Sequence, residues 1–235
     1  QAGIAGYRAV LEAASRYPRF FPMMMTSAGS SKACKLAVLG AGVAGLQAIA
    51  TARKLGAQVE AYDVRAEVRE QISSLGAKNI ELDIGEDGTG KGGYAKELSE
   101  EAKRKQQQVL NEKLKKFDVI VSTANIPGRK APVLITEEAV KGMREGSVII
   151  DMAAANGGNC PLSEADRVVV KHGVTLVGTT NFPALVPGDS SHFYSQNLVN
   201  LLALILNAGK LELVLTDDII AAALVVHKGA LCQAR

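Results

Sequence analysis

The chain has 235 residues, enough for one large domain or two modest ones around a buried core. Its net charge of +3, from 27 Lys+Arg against 24 Asp+Glu spread along the chain, disfavours a nucleic-acid partner. An apolar fraction of 47% made mostly of Ala, Val, Leu and Ile, with 23 glycines, suits an α/β protein, and the three scattered cysteines (Cys34, Cys160, Cys232) indicate neither a disulfide framework nor a zinc site but a reducing compartment.

The first fifteen or so residues have helical apolar spacing at Ile4, Val10, Leu11 and Ala14, and the pattern stops before Pro18. The apolar knot Phe20-Phe21-Pro22-Met23-Met24-Met25 is expected to pack under the next domain, and the Ser-Ala-Gly-Ser-Ser stretch from Ser27 is expected to be a short flexible boundary. Strands are predicted at 35–39, 58–62, 78–82, 118–122, 147–150 and 175–177, and helices between them at 45–54, 65–75, 94–116 and 136–141. Such alternation requires crossover connections, so a parallel sheet with helices on both faces is expected. The charged 96–116 run reads as a solvated helix with i,i+4 pairs such as Glu100–Arg104 and Glu101–Lys105.

A long helix is predicted at 191–208, with Asp189 and Ser190 as N-cap candidates, followed by strand, turn and strand from Leu211 to Leu231 around His227-Lys228-Gly229. Residues 198–208 read as buried helix and 219–226 as strand, so no segment reaches the ~18 apolar residues a spanning helix needs. Gln1 is not followed by a charged and then apolar leader, so no signal peptide is expected, and the chain reads as a segment of something longer.

Chemistry concentrates in one place. The strand 35–39 runs directly into Gly40-Ala41-Gly42-Val43-Ala44-Gly45 and then into an Ala-rich helix, the context that gives a G-x-G-x-x-G pattern its meaning. Gly40 permits a tight turn, Gly42 lets backbone amides approach a pyrophosphate, and Gly45 allows close helix–strand packing. The second strand delivers Asp63, whose carboxylate suits the adenosine ribose hydroxyls of NAD and repels a 2′-phosphate; Arg65, two residues on, hints the other way, and Asp63 is given the greater weight. Asn125-Ile126-Pro127-Gly128 follows a later strand and is either a loop beside the cofactor or an ordinary turn. The glycine-rich 83–93 stretch ahead of Tyr94 is either a hinge over the site or a floppy linker.

Acid–base and nucleophilic candidates are poor. His172 reads as a turn residue, His192 as first-turn helix and His227 as hairpin turn, none beside a partner that would tune it, and Cys160 reads as a structural thiol. No catalytic side chain and no metal ligand is nominated, and hydride exchange between two nicotinamides needs no general base.

The strings QAGIAGYRAV, FPMMMT, GAGVAGLQAIATARKLGA, YDVR, GGYAKEL, RKAPVLITEEAV, GSVIIDMA and GGNCPLSE together closely resemble the NAD(H)-binding domain I of proton-translocating nicotinamide nucleotide transhydrogenase, over nearly the whole chain. Alanine dehydrogenase shares part of this pattern. The resemblance implies a Rossmann lobe at 32–188, a linking helix and remnant of the other lobe at 1–31, and a return helix and hairpin at 189–235. It implies that Gly40, Gly42, Val43 and Gly45 contact the pyrophosphate, that Asp63, Val64 and Arg65 lie at the adenosine ribose, that Gly93 and Tyr94 belong to a closing loop, and that Ala124, Asn125 and Ile126 lie beside the nicotinamide-side ribose. A family loop that orients the nicotinamide would lie upstream of Gln1, which predicts weakened nucleotide affinity for this stretch alone. NADP(H) on a partner domain, a proton-translocating membrane domain, a homodimer, and a bacterial, mitochondrial inner or other organelle membrane as location are implied likewise. The alternatives are an alanine dehydrogenase-type enzyme and a nucleotide-binding module without turnover.

Overall fold

The computed structural model describes residues 1–82, 100–126 and 128–232. They fall into two compact units, one from Ala2 to Val186 and the other made of Gln1 and the stretch from Pro187 onward.

The larger unit is built on a seven-stranded sheet of β1 (Lys35–Leu39), β2 (Gln58–Tyr62), β3 (Lys78–Asn79), β4 (Val119–Ser122), β5 (Val148–Asp151), β6 (Val168–Lys171) and β7 (Val174–Val177). Their spatial order is β3-β2-β1-β4-β5-β7-β6. All neighbours are parallel except β6, which returns antiparallel along β7. The fold is the expected Rossmann-like α/β arrangement, with one correction: the sheet is mixed. The extra strand β6 follows from a two-residue turn, His172 (φ 53) and Gly173 (φ 75), whose paired positive φ values make the tight hairpin that a purely parallel reading overlooks.

The central strands β4 and β5 are buried along their whole length and β1 is exposed only at Lys35, as a sheet covered on both faces demands, whereas edge strand β6 is never fully buried. Side chains alternate between two layers. Leu36, Val38, Val119, Val121, Val148 and Ile150 enter one, with residues of α1 (Ala2–Arg16), α2 (Val43–Lys54) and α3 (Arg69–Ser74). Ala37, Leu39, Ile120 and Ile149 enter the other, with Leu110 and Leu114 of α4 (Glu100–Leu114), Phe117, and Val140 of α5 (Glu137–Gly142). Each fully buried Leu or Ile stabilises by about 1.5–3 kcal/mol before entropy is counted. The helix α4 is therefore not merely solvated, since Leu110 and Leu114 of its C-terminal half enter the core. The predicted pairs at Glu100 and Glu101 rest on side chains outside the described ones, and the predicted helical residues 94–99 lie outside the described residues.

Helix α1 lies against α2 at very close range. A Cβ at Gly6 would stand 2.0 Å from the Ala44 carbonyl oxygen, so only glycine lets the two backbones meet there. Gly3, one turn earlier, has nothing within 4 Å.

Several local expectations are corrected. Of the apolar knot only Phe21 is buried; Phe20, Met23, Met24 and Met25 are exposed, and the chain continues as a hairpin of two three-residue strands, Met24–Thr26 with Gly29–Ser31. The supposed flexible boundary at Ser27 is the turn and return strand of that hairpin. Strand β3 is two residues long rather than five, and the predicted 65–75 helix is a 3-10 turn, Ala66–Val68, followed by α3.

In the second unit α6 (Pro187–Ile205) starts at its proline, whose fixed φ suits the first helical position, so Asp189 and Ser190 lie inside the first turn rather than at the cap. The predicted strand at 219–226 is instead begun by α7 (Asp218–Ala223): the Asp217 carboxylate accepts from the Ile219 and Ile220 amides at 2.9 and 3.0 Å, an N-cap that turns an ambiguous apolar run into helix. Two hairpins, Leu206–Asn207 with Lys210–Leu211 and Val226–His227 with Ala230–Leu231, turn on Ala208-Gly209 and Lys228-Gly229, all four at positive φ; the first of these turns was not foreseen. Among the described residues no helix is long and apolar enough to cross a membrane.

The Gly6–Ala44 contact gives a paired prediction. Gly6→Ala forces backbones apart and should destabilise by about 1–3 kcal/mol, a fall of several degrees in Tm, while Gly3→Ala should leave Tm unchanged or raise it. Thermal melting of the two variants beside the parent checks it; equal Tm values would contradict the packing.

Candidate functional site

The carboxyl ends of β2, β1 and β4 deliver three segments to one edge of the sheet, at the point where the strand order turns from β1 outward in both directions. In open α/β sheets this is where ligands sit.

The first segment is the glycine turn. Gly40 has φ 95, and a Cβ on it would lie 2.7 Å from Thr123 Oγ1 and 3.1 Å from the Ala124 amide nitrogen. Glycine is thus required twice over, by backbone conformation and by the approach of the β4 loop. A Cβ on Gly45 would lie 1.8 Å from the Gly40 carbonyl oxygen, so the helix can cross its own strand only without a side chain there. The Thr123 hydroxyl donates to that same Gly40 oxygen at 2.9 Å. Gly42 differs, because nothing lies within 4 Å of the place its Cβ would occupy and its φ is an ordinary −76. It is the N-cap of α2 and supplies no side-chain cap, so the positive end of a twelve-residue helix faces open space.

The second segment carries Asp63. Its side chain is only 7% exposed, yet its carboxylate accepts four hydrogen bonds: from the Ala41 amide at 2.7 Å, from the Arg65 amide at 2.9 Å, and from Arg65 Nε and Nη2 at 3.0 Å each. Burial would push the Asp63 carboxyl up, but the Arg65 guanidinium and the two amides together outweigh it and hold the carboxyl below its ordinary value. The carboxylate is ionised at neutral pH and its acceptor positions are filled. The partner is a half-exposed Arg65 side chain, which can leave. Val64 and Val43 are 76% and 68% exposed.

The third segment follows β4. Thr123 donates its amide to Leu39 O at 2.8 Å, which locks the start of this loop to the end of β1. Ala124 O accepts from Asn159 Nδ2 at 2.8 Å, Asn125 Oδ1 accepts from Asn156 Nδ2 at 3.0 Å, and Ile126 is exposed. Gly128, at φ 72, continues a turn in which the Arg129 amide donates to Ile126 O. The structure therefore brings Gly40, Gly42, Val43, Gly45, Asp63, Val64, Arg65, Ala124, Asn125 and Ile126 to one sheet edge. Gly93 and Tyr94, and with them the glycine-rich 83–93 stretch, lie outside the described residues.

Thr123 and Asn159 were missed from sequence. A polar residue just past a strand end was the only signal for Thr123, and Asn159 was visible only inside GGNCPLSE. The other candidate chemistry stays elsewhere. His172 sits in its hairpin turn with Glu137 Oε1 at 3.0 Å, and Cys160 is fully buried, its thiol pushed up by that burial. Among the described residues no group of three or more His, Cys, Asp or Glu is placed to hold a metal ion.

Comparison with known proteins places the chain in a family. The family model described as alanine dehydrogenase/PNT, C-terminal domain, matches residues 9–234. An NAD(P) transhydrogenase subunit alpha polypeptide of Rhodospirillum rubrum is 49% identical over 98% of this chain and 61% of its own length. A transhydrogenase crystal structure from Sinorhizobium meliloti superposes with a TM-score of 0.84 at 42% identity, over 98% of this chain and 61% of that one. Alanine dehydrogenase 1 of Staphylococcus aureus is 35% identical, but over 51% of this chain and 33% of its own. The chain thus spans about three-fifths of the length of these two transhydrogenase relatives. It belongs to the alanine dehydrogenase/PNT C-terminal domain family, on the side of the NAD(P) transhydrogenase alpha subunits.

Proposed function

We propose that this chain is the NAD(H)-binding part of a proton-translocating transhydrogenase, with NADP(H) on a separate domain and proton translocation in a membrane domain of the same enzyme. The observation that carries the reading is the Ala41–Asp63 hydrogen bond of 2.7 Å, which fixes the glycine turn and the acidic end of β2 as one unit at the switch point of the sheet.

The residues fit a dinucleotide. The protein's own packing demands glycine at 40 and 45 but not at 42, where the uncapped amide end of α2 faces open space suited to a pyrophosphate. Asp63 is ionised and suits ribose hydroxyls, while a 2′-phosphate would meet its charge. Ala124, Asn125 and Ile126, on the β4 side, would border the nicotinamide-side ribose. Gly93 and Tyr94 enter this reading by resemblance alone.

When bound, the reduced nicotinamide would supply a hydride, and the chain's residues would bind the dinucleotide rather than exchange protons with it. No described histidine stands among the three segments, so no catalytic side chain is proposed. Exposed Met23 and Met25 in the first unit, and exposed Leu211 and Leu231 in the hairpins of the second, support pairing of two copies as a homodimer. Membrane association would come through other domains.

Arg65 has a definite place in this scheme. The adenosine ribose can reach Asp63 only by displacing the guanidinium, so Arg65 competes with the nucleotide for the same acceptor positions.

Fluorescence titration of the intact protein tests the reading. NADH should bind at least about tenfold more tightly than NADPH, and Asp63→Asn should weaken NADH by roughly tenfold or more while narrowing that ratio. Equal affinities for the two nucleotides in the parent would overturn it.

Arg65→Ala should tighten NADH by up to about fivefold, the worth of a half-exposed ion pair. A weaker NADH affinity instead would mean that the guanidinium is itself a nucleotide ligand.

A further inference from the structure

Behind the β4 loop lies a buried polar assembly that the nucleotide reading does not use. Asn159 is fully buried, and every hydrogen-bonding group of its side chain is engaged. Its Oδ1 accepts from the Ser122 hydroxyl at 2.7 Å, and its Nδ2 donates to the Ala124 and Pro132 carbonyl oxygens, both at 2.8 Å. Its backbone oxygen takes the amides of Leu134 and Ile135 at 2.9 and 3.0 Å. Only one orientation of the amide satisfies a hydroxyl on one side and two carbonyls on the other.

Asn159 is itself fixed from below. The fully buried Asp151 carboxylate, at the end of β5 and in register with Ser122, accepts from the amides of Ala153, Asn159 and Cys160 at 3.0–3.1 Å. Three backbone donors satisfy its buried oxygens. The chain can fold round this carboxylate only because position 158 is glycine: its φ is 74, and a Cβ would lie 2.7 Å from Asp151 Oδ2.

The two carbonyls that Asn159 holds are the two ends of one segment. Between Ala124 and Pro132 lie Asn125, Ile126 and Gly128, all exposed. We propose that Asn159 is a positioning residue that braces the 124–132 segment in the shape that receives the nicotinamide-side half of the dinucleotide. The proposal rests on the nucleotide reading above, but its mechanical half does not. Asn159 touches no ligand; it acts through the loop. Aspartate there would set a carboxylate oxygen against two buried carbonyl oxygens, and removal of the Ser122 hydroxyl would leave the buried Asn159 Oδ1 without its donor.

The test uses the intact protein, with Asn159→Asp as the strong variant and Ser122→Ala as the mild one should the first fail to fold. Amide hydrogen exchange across 124–135 needs no nucleotide and should quicken in both, more in the first. Dissociation constants for NADH and for ADP, which lacks the nicotinamide-side ribose, then separate positioning from general damage. Asn159→Asp should weaken NADH by about tenfold and Ser122→Ala by about threefold, with ADP changed by less than about twofold in each. Parent-like exchange in the variants, or an equal loss of NADH and ADP affinity, would overturn the inference. A parent protein that does not bind NADH would overturn the nucleotide reading and this inference with it, and is recognised because the failure precedes any substitution.

Discussion

The hydrogen bond from the Ala41 amide to the Asp63 carboxylate is the constraint on which the rest of the site depends. It joins the turn after β1 to the end of β2, so the start of α2 and the acid beside it are tied together. The turn can reach that carboxylate because Gly40 takes a positive φ and because Gly45 lets α2 cross within a Cβ's reach of the Gly40 carbonyl. The Thr123 hydroxyl, donating to the same carbonyl, ties the β4 loop into the unit. Three loops on three strands are thus tied together by hydrogen bonds between side chains and backbone, an arrangement suited to holding a ligand in one orientation.

That rigidity is supported from behind. The close crossing of α1 on α2 at Gly6 stands beside the first turn of α2, so the helix that would face a pyrophosphate is itself buttressed. On the other side, Asp151 and Asn159 do for the β4 loop what Asp63 does for the glycine turn: a buried side chain holds backbone groups in a fixed pattern. A fully satisfied polar assembly of this kind is stabilising and specific, whereas losing one member leaves several buried groups unpaired.

Much of this was legible in the sequence for a physical reason: the glycine turn and its acid are local patterns, read off strand, turn, helix and strand in succession. Gly40, Gly45 and Asp63 could be placed that way. What Asp63 does with its lone pairs could not, because the occupancy by Arg65 depends on a rotamer. Asn159 was out of reach since Ser122 stands 37 positions away in the chain. The missed strand β6 and the misread 219–226 run failed for a different reason. Apolar runs of this length suit either element, and the deciding signals were single residues, the Gly173 turn for the strand and the Asp217 cap for the helix.

The most direct measurement is a crystal structure of the protein with NADH bound. The pyrophosphate is expected at the amides following Gly42, the adenosine ribose hydroxyls on the Asp63 carboxylate, and the Arg65 guanidinium turned away from it. Nucleotide bound elsewhere, or bound at this edge with the Arg65–Asp63 pair intact, would contradict the proposed site.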